Sequence, residues 1–252
     1  MAEVAKREGR GAGGMSRRTA AWFAWSLVAL SVVLVLGGDY LSVATRPVVR
    51  GSPYDSEAFL ASALYNLATL LPFSVVGAFV ASRQPRNVIG WIFCSIGLVV
   101  GLDTLAKGYA EFWLESGSGT RSLAETAAWF SSWAWIPLVL VPTSLLLLLF
   151  PDGTPPSPRW RPVVWCAGLG ITGFAAGTAL EVGPLEDMPQ ITNPYGVDSP
   201  VIGIVGVTGA IVAGSSMVAS AVSLVIRMRF TGSASRSSGS LMVVLWWSAP
   251  SA

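Results

Sequence analysis

Six stretches of this chain are apolar over nearly 20 residues or more, and they run as unbroken blocks rather than as one-sided stripes. That feature constrains the fold more than any other. A bilayer's hydrocarbon layer is about 30 Å thick and a helix rises about 1.5 Å per residue, so about 20 apolar residues suffice to cross it. The blocks lie at about 20–38, 59–81, 88–110, 126–150, 162–180 and 201–226. In lipid every backbone polar group must be satisfied within the protein, which leaves helices or a closed barrel. Barrel strands alternate apolar and polar residues over about ten positions. Runs such as SLLLLLF (144–150) and SVVLVLGG (31–38) do not alternate. The expected fold is all-α: a polytopic integral membrane bundle of about six transmembrane helices.

Charge supports this reading. Only 12% of the residues are charged, against about 25% in an ordinary soluble domain. A net charge of +2 provides no basic surface for nucleic acid. Basic residues gather on the cytoplasmic side of membrane proteins. With the N-terminus inside, that side receives Lys6, Arg7, Arg10, Arg17, Arg18, Arg83, Arg86, Arg159, Arg161, Arg227, Arg229 and Arg236, leaving Arg46, Arg50, Lys107 and Arg121 outside. Of the acids, only Glu3, Glu8 and Asp152 fall inside. Six spans then return the C-terminus to the inside as well, giving an N-in/C-in protein of the cell membrane. Trp22, Phe23 and Trp25 mark the inner end of span 1, and Tyr109, Phe112 and Trp113 the outer end of span 3, as a headgroup belt requires. The first apolar run is near 19 residues, longer than the usual 7–15 of a signal peptide, so it reads as a retained span.

Three regions follow: a disordered basic cytoplasmic tail (1–18), a six-span membrane domain (19–230) and a Ser-rich tail (231–252). The seven apolar residues 241–247 in that tail are too few to cross a bilayer. The inner loops are short. Residues 82–87 form a turn around Pro85. Residues 151–161 hold four prolines and a glycine, a stiff connection, and Pro162 opens the next helix.

Residues able to carry chemistry are sparse. The chain has no histidine, which removes haem ligation, most zinc sites, the Ser-His-Asp arrangement and any phosphoacceptor histidine. No nucleotide-binding loop or metal cluster appears, so no catalytic residue and no cofactor is expected, and the chain by itself is not expected to be an enzyme. Gly168, Gly170 and Gly173 match a dinucleotide fingerprint by letter, but within an apolar span with no preceding strand. Asp103 and Lys107 stand four apart in span 3, on one helix face. Counting from Ile89 places Asp103 about 21 Å up a layer about 30 Å thick. Two readings stay open there: an ion pair closing the helix end, or part of an outward-facing sensing pocket. Asn66 and Pro72 are the polar and kink features of span 2, an interhelical hydrogen bond with a bend or a hinge passing motion inward. Cys94 and Cys166 are expected to be buried and unreactive. Small residues stripe span 6 (Gly203, Gly206, Gly209, Ala213, Gly214) and span 5 (Gly168, Gly170, Gly173, Gly177), suiting close helix packing within the bundle or homodimerisation.

Several of these segments resemble a known module. PFSVVGAFVASRQPRNVIGWIFCSIGL (72–98), LLLLLFPDGTPPSPRWRPVVW (145–165), NPYGV (193–197) and VIRMRF (225–230) resemble the N-terminal multi-span sensor regions of actinobacterial sensor histidine kinases and related signalling proteins. The resemblance covers about 59–230. It singles out Arg83, Arg86, Asn87, Trp91, Pro151, Asp152, Gly153, Arg159, Trp160 and Arg161 as structural residues of the cytoplasmic loops. It implies a non-catalytic sensory module whose partner is the lipid bilayer and whose ligand is unknown; a small transporter or permease is the alternative. The chain departs from the module where an acidic, Gln-rich linker to effector domains is expected and TGSASRSSGSLM (231–242) stands instead. A shifted reading frame and a naturally short variant both account for that departure.

Overall fold

The computed structural model describes residues 16–44, 54–150, 153–155 and 157–247; for 54–56, 58 and 226–247 it describes the backbone alone. Most of the described residues are helical, with one isolated bridge between Pro184 and Thr192 and no strand among them. The helices are α1 (Arg17–Ala44), α2 (Tyr54–Arg83), α3 (Val88–Ser116), α4 (Arg121–Leu140), α5 (Arg161–Leu180) and α6 (Pro200–Trp247). Six segments are long and apolar enough to cross a membrane: Arg17–Ala44, Phe59–Arg83, Val88–Ser116, Arg121–Leu149, Pro158–Leu180 and Pro200–Val225.

Local chemistry sets the ends. Asn87 caps α3, its Oδ1 accepting from the Ile89 amide at 3.0 Å. Gly117 closes α3 in the left-handed conformation, φ 63°, its amide returning to the Trp113 carbonyl. α4 does not stop at Leu140. It continues through a π-helical turn, Val141–Leu146, and a last α turn, Leu147–Leu149. Pro142 has no N–H to give the ladder. In the same turn Thr143 Oγ1 donates to the Val139 carbonyl at 2.7 Å, and Ser144 Oγ to that of Leu140. The membrane-length part of α6 is Pro200–Val225, against 201–226 expected from the sequence. The α6 backbone stays helical to Trp247, and no proline interrupts 201–247.

The bundle is assembled from a triple and a pair. α1, α2 and α3 pack on one another, α5 packs on α6, and α4 joins the two groups through α3 and α5 while its π turn meets α6. Glycine makes both groups tight. A Cβ on Gly108 would overlap the Gly38 carbonyl, and one on Gly38 would overlap the Thr104 carbonyl, so α1 and α3 cross backbone to backbone. Gly206 and Gly209 likewise meet Gly177 and Gly173, and Gly170 meets Ala213. The small faces of α5 and α6 are thus spent on each other, whereas Gly168, Gly203 and Gly214 face open space.

Large apolar side chains on the remaining faces are bare, among them Leu30, Val33, Leu64, Leu169, Ile204 and Ile211. A water-soluble monomer does not carry apolar surface of that extent. With lipid as the solvent it is the expected exterior. Cys94 is buried against Ala78 and Ala81, but Cys166 is exposed, which corrects the expectation for that residue. Position along α5 sets its depth. Which way the helix turns sets its exposure, and α5 turns Trp165, Cys166 and Leu169 outward.

Candidate functional site

The end of the bundle formed by the α3–α4 and α5–α6 connections carries the polar cluster. The α5–α6 connection, 181–199, folds into a compact cap. The Leu185 amide donates to the Ile191 carbonyl at 2.9 Å, and the Asn193 amide to that of Gly183 at 2.8 Å. Leu185, Met188 and Ile191 are buried against Ala110 of α3 and Ala128 of α4, with Leu114 and Trp129 packed around them. Burying three such side chains contributes roughly 1.5–3 kcal/mol each, so apolar contact holds the cap down.

Asn193 fastens its base. Its Nδ2 donates to the carbonyls of Ala179, at 3.0 Å, and Glu181, at 2.7 Å, and its Oδ1 accepts from the Tyr195 amide. The Ala179 carbonyl also receives the Trp129 indole N–H at 2.6 Å, and Tyr195 packs edge-on to Trp129 with ring centroids 4.6 Å apart. The NPYG element is therefore a helix C-terminal cap that ties α5 to α4.

Lys107 sits between two carboxylates, 3.8 Å from Asp103 Oδ2 and 3.3 Å from Asp187 Oδ2 of the cap. The side chain of Asp103 is 16% exposed, that of Lys107 38% and that of Asp187 58%. An exposed pair of this kind contributes about 0–1 kcal/mol. The lysine orients the cap more than it holds it. Asp103 Oδ1 is buried without a hydrogen-bond partner, so the lysine is the charge that compensates this carboxylate.

Asn66 lies apart from that pair. Its Nδ2 donates to Asp39 Oδ1 across the α1–α2 interface at 2.8 Å. Asp39 is 3% exposed and its Oδ2 has no hydrogen-bond partner. Asp39 is not among the residues expected from the sequence; its signal there is Gly38-Asp39, a carboxylate directly after a close-packing glycine. Pro72 stands within α2, one and a half turns from Asn66.

At the opposite end of the bundle, the α2–α3 and α4–α5 loops meet each other. Asn87 Nδ2 donates to Gln84 Oε1, and the Trp91 indole donates to the Pro85 carbonyl at 2.9 Å. Gly153, at φ 74°, lies against Asn87 so closely that an added Cβ would sit 2.8 Å from Asn87 Oδ1. The α2–α3 and α4–α5 loops thus form one junction. Arg83 rests over the Phe79 ring at 4.2 Å, Arg86 is exposed, Arg159 and Trp160 belong to a 3-10 turn, and Arg161 opens α5. Pro151 and Asp152 lie outside the described residues, as do most of the N-terminal tail and residues 248–252. Among the described residues no His, Cys, Asp or Glu cluster suits a metal ion.

Six long apolar helices with a bare apolar exterior define a multi-pass membrane protein. No known protein family, curated protein or solved structure matches the chain.

Proposed function

We propose that the chain is a non-catalytic sensory module of the cell membrane, inserted N-in/C-in, in which the state of the outer cap biases how the inner loops pack. The observation that carries this reading is the course of α3. One uninterrupted helix, Val88–Ser116, bears the Asp103–Lys107 pair near its outer end and the Asn87 cap at its inner end. A displacement of the cap is thereby coupled to the junction between Asn87 and Gly153. The weak, shared ion pair suits a switch, because a ligand needs only a small differential affinity to release it.

Lys107→Met removes the pair and leaves Asp103 uncompensated. With Cys166→Ser as background and labels at Gln84 and Thr154, which are exposed on the two inner loops, the full chain in lipid nanodiscs should show a shift of about 1–2 Å in the label-to-label distance, the scale of helix shifts in switching proteins. Superimposable distributions would contradict the sensory reading, and solute uptake by proteoliposomes would replace it with transport.

Orientation follows from the arginines. A cysteine at Ser118 should react with an impermeant maleimide on intact cells, and one at Gln84 only after permeabilisation. The reverse pattern would invert the topology.

A further inference from the structure

The arginine-rich end of the bundle repeats one arrangement on three helices. Arg18 precedes Trp22 by four residues on α1, Phe79 precedes Arg83 by four on α2, and Arg161 precedes Trp165 by four on α5. Four residues is one turn, so each arginine shares a helix face with its ring. Chain direction places the aromatic one turn nearer the bundle centre every time. α1 and α5 begin at this end and α2 finishes there, as the Phe23–Trp91 ring contact and the packing of Val164 against Ile89 and Leu149 establish. All three rings point out of the bundle: Trp22 is 70% exposed, Phe79 51% and Trp165 71%. The three arginines are exposed too, as are Arg17, Arg86 and Arg159.

None of these six arginines forms an ion pair among the described residues; the pairs present are at the other end of the bundle, at Lys107 and Arg121. The described acidic residues lie there as well. Among the described residues the collar is a set of arginines without carboxylate partners, above lipid-facing aromatics.

We propose that this collar is a binding surface for anionic phospholipid in the leaflet it faces. The guanidinium groups take the headgroup phosphates, to which Arg presents a planar set of donors. The aromatic ring one turn deeper, about 6 Å along the axis, lies against the glycerol and upper acyl region, where amphipathic rings settle. Charge complementarity selects anionic lipid over zwitterionic lipid, since a zwitterionic headgroup carries its own cation to the same place. The inference needs only the membrane-spanning fold and stands apart from the sensory reading.

The test is lipid selectivity of the full chain in mixed bilayers, read by electron paramagnetic resonance with spin-labelled phosphatidylglycerol and spin-labelled phosphatidylcholine. About 1 kcal/mol per basic residue at an anionic surface corresponds to about a fivefold preference. The wild type should favour phosphatidylglycerol by about that factor, less at high salt. Arg18→Gln with Arg83→Gln and Arg161→Gln should bring the ratio close to one, and the same three positions as lysine should retain most of the preference. Millimolar inorganic phosphate should leave the ratio unchanged. Equal association of both lipids with the wild type, or a preference that survives the triple glutamine change, would overturn the proposal. Should the triple variant fail to fold, Arg83→Gln alone should lower the ratio, and a ratio unchanged from the wild type would overturn the proposal.

Discussion

Gly108→Ile should cost the bundle about 3 kcal/mol or more, the upper range for forcing atoms into a filled interface. At this crossing a β-carbon on α3 would occupy the place of the Gly38 carbonyl on α1. The obstacle is backbone on both helices, so no side-chain rotation relieves it. The helices must part, and parting them strips Gly38 and Ser31 of their contacts with α3. Measured as a shift of the unfolding midpoint in detergent, the loss should be large for Gly108→Ile. It should be within about 0.5 kcal/mol for Gly214→Ile, where nothing lies within 4 Å. Equal effects at the two positions would mean that α1 and α3 do not cross at glycine.

Asn193→Ala should release the 181–199 cap. The substitution removes two donors from the carbonyls of Ala179 and Glu181 and one acceptor from the Tyr195 amide. Each part-buried hydrogen bond lost costs about 0.5–1.5 kcal/mol. The Ala179 carbonyl keeps the Trp129 indole, so the larger loss falls at Glu181 and Tyr195. Hydrogen exchange should accelerate at least tenfold over 181–199 while the amides of α5 before Ala179 keep their protection, since about 1.4 kcal/mol of lost local stability is a factor of ten. Unchanged exchange across the cap would show that Leu185, Met188 and Ile191 hold it alone.

The two changes probe parts of the molecule that differ in how readable they were. Six helices follow from apolar length, because lipid imposes a span of about 20 residues whatever the neighbours are. The Asp103–Lys107 pair was visible for a similar reason: spacing along one helix needs no tertiary information. Its third member, Asp187, was hidden, being 80 residues further on in a loop whose fold depends on Asn193 and on an apolar plug. Asp39 was hidden as well. A lone acid near a helix end looks solvated until α2 brings Asn66 against it. The π turn of α4 had a local cause in Pro142, but whether a proline kinks, ends or widens a helix depends on what packs around it.

Hydropathy and charge order determined by themselves that this chain is a set of long apolar helices with arginines crowded at alternate ends, since transfer of greasy segments from water to lipid is a property of each segment alone. Only the tertiary structure decided which glycines became crossings and which stayed bare, that the α2–α3 and α4–α5 loops share a junction at Asn87 and Gly153, and that a folded cap brings Asp187 to Lys107. Those outcomes rest on the rotation of each helix about its axis, and within lipid that rotation is set by packing against neighbours rather than by aversion to water.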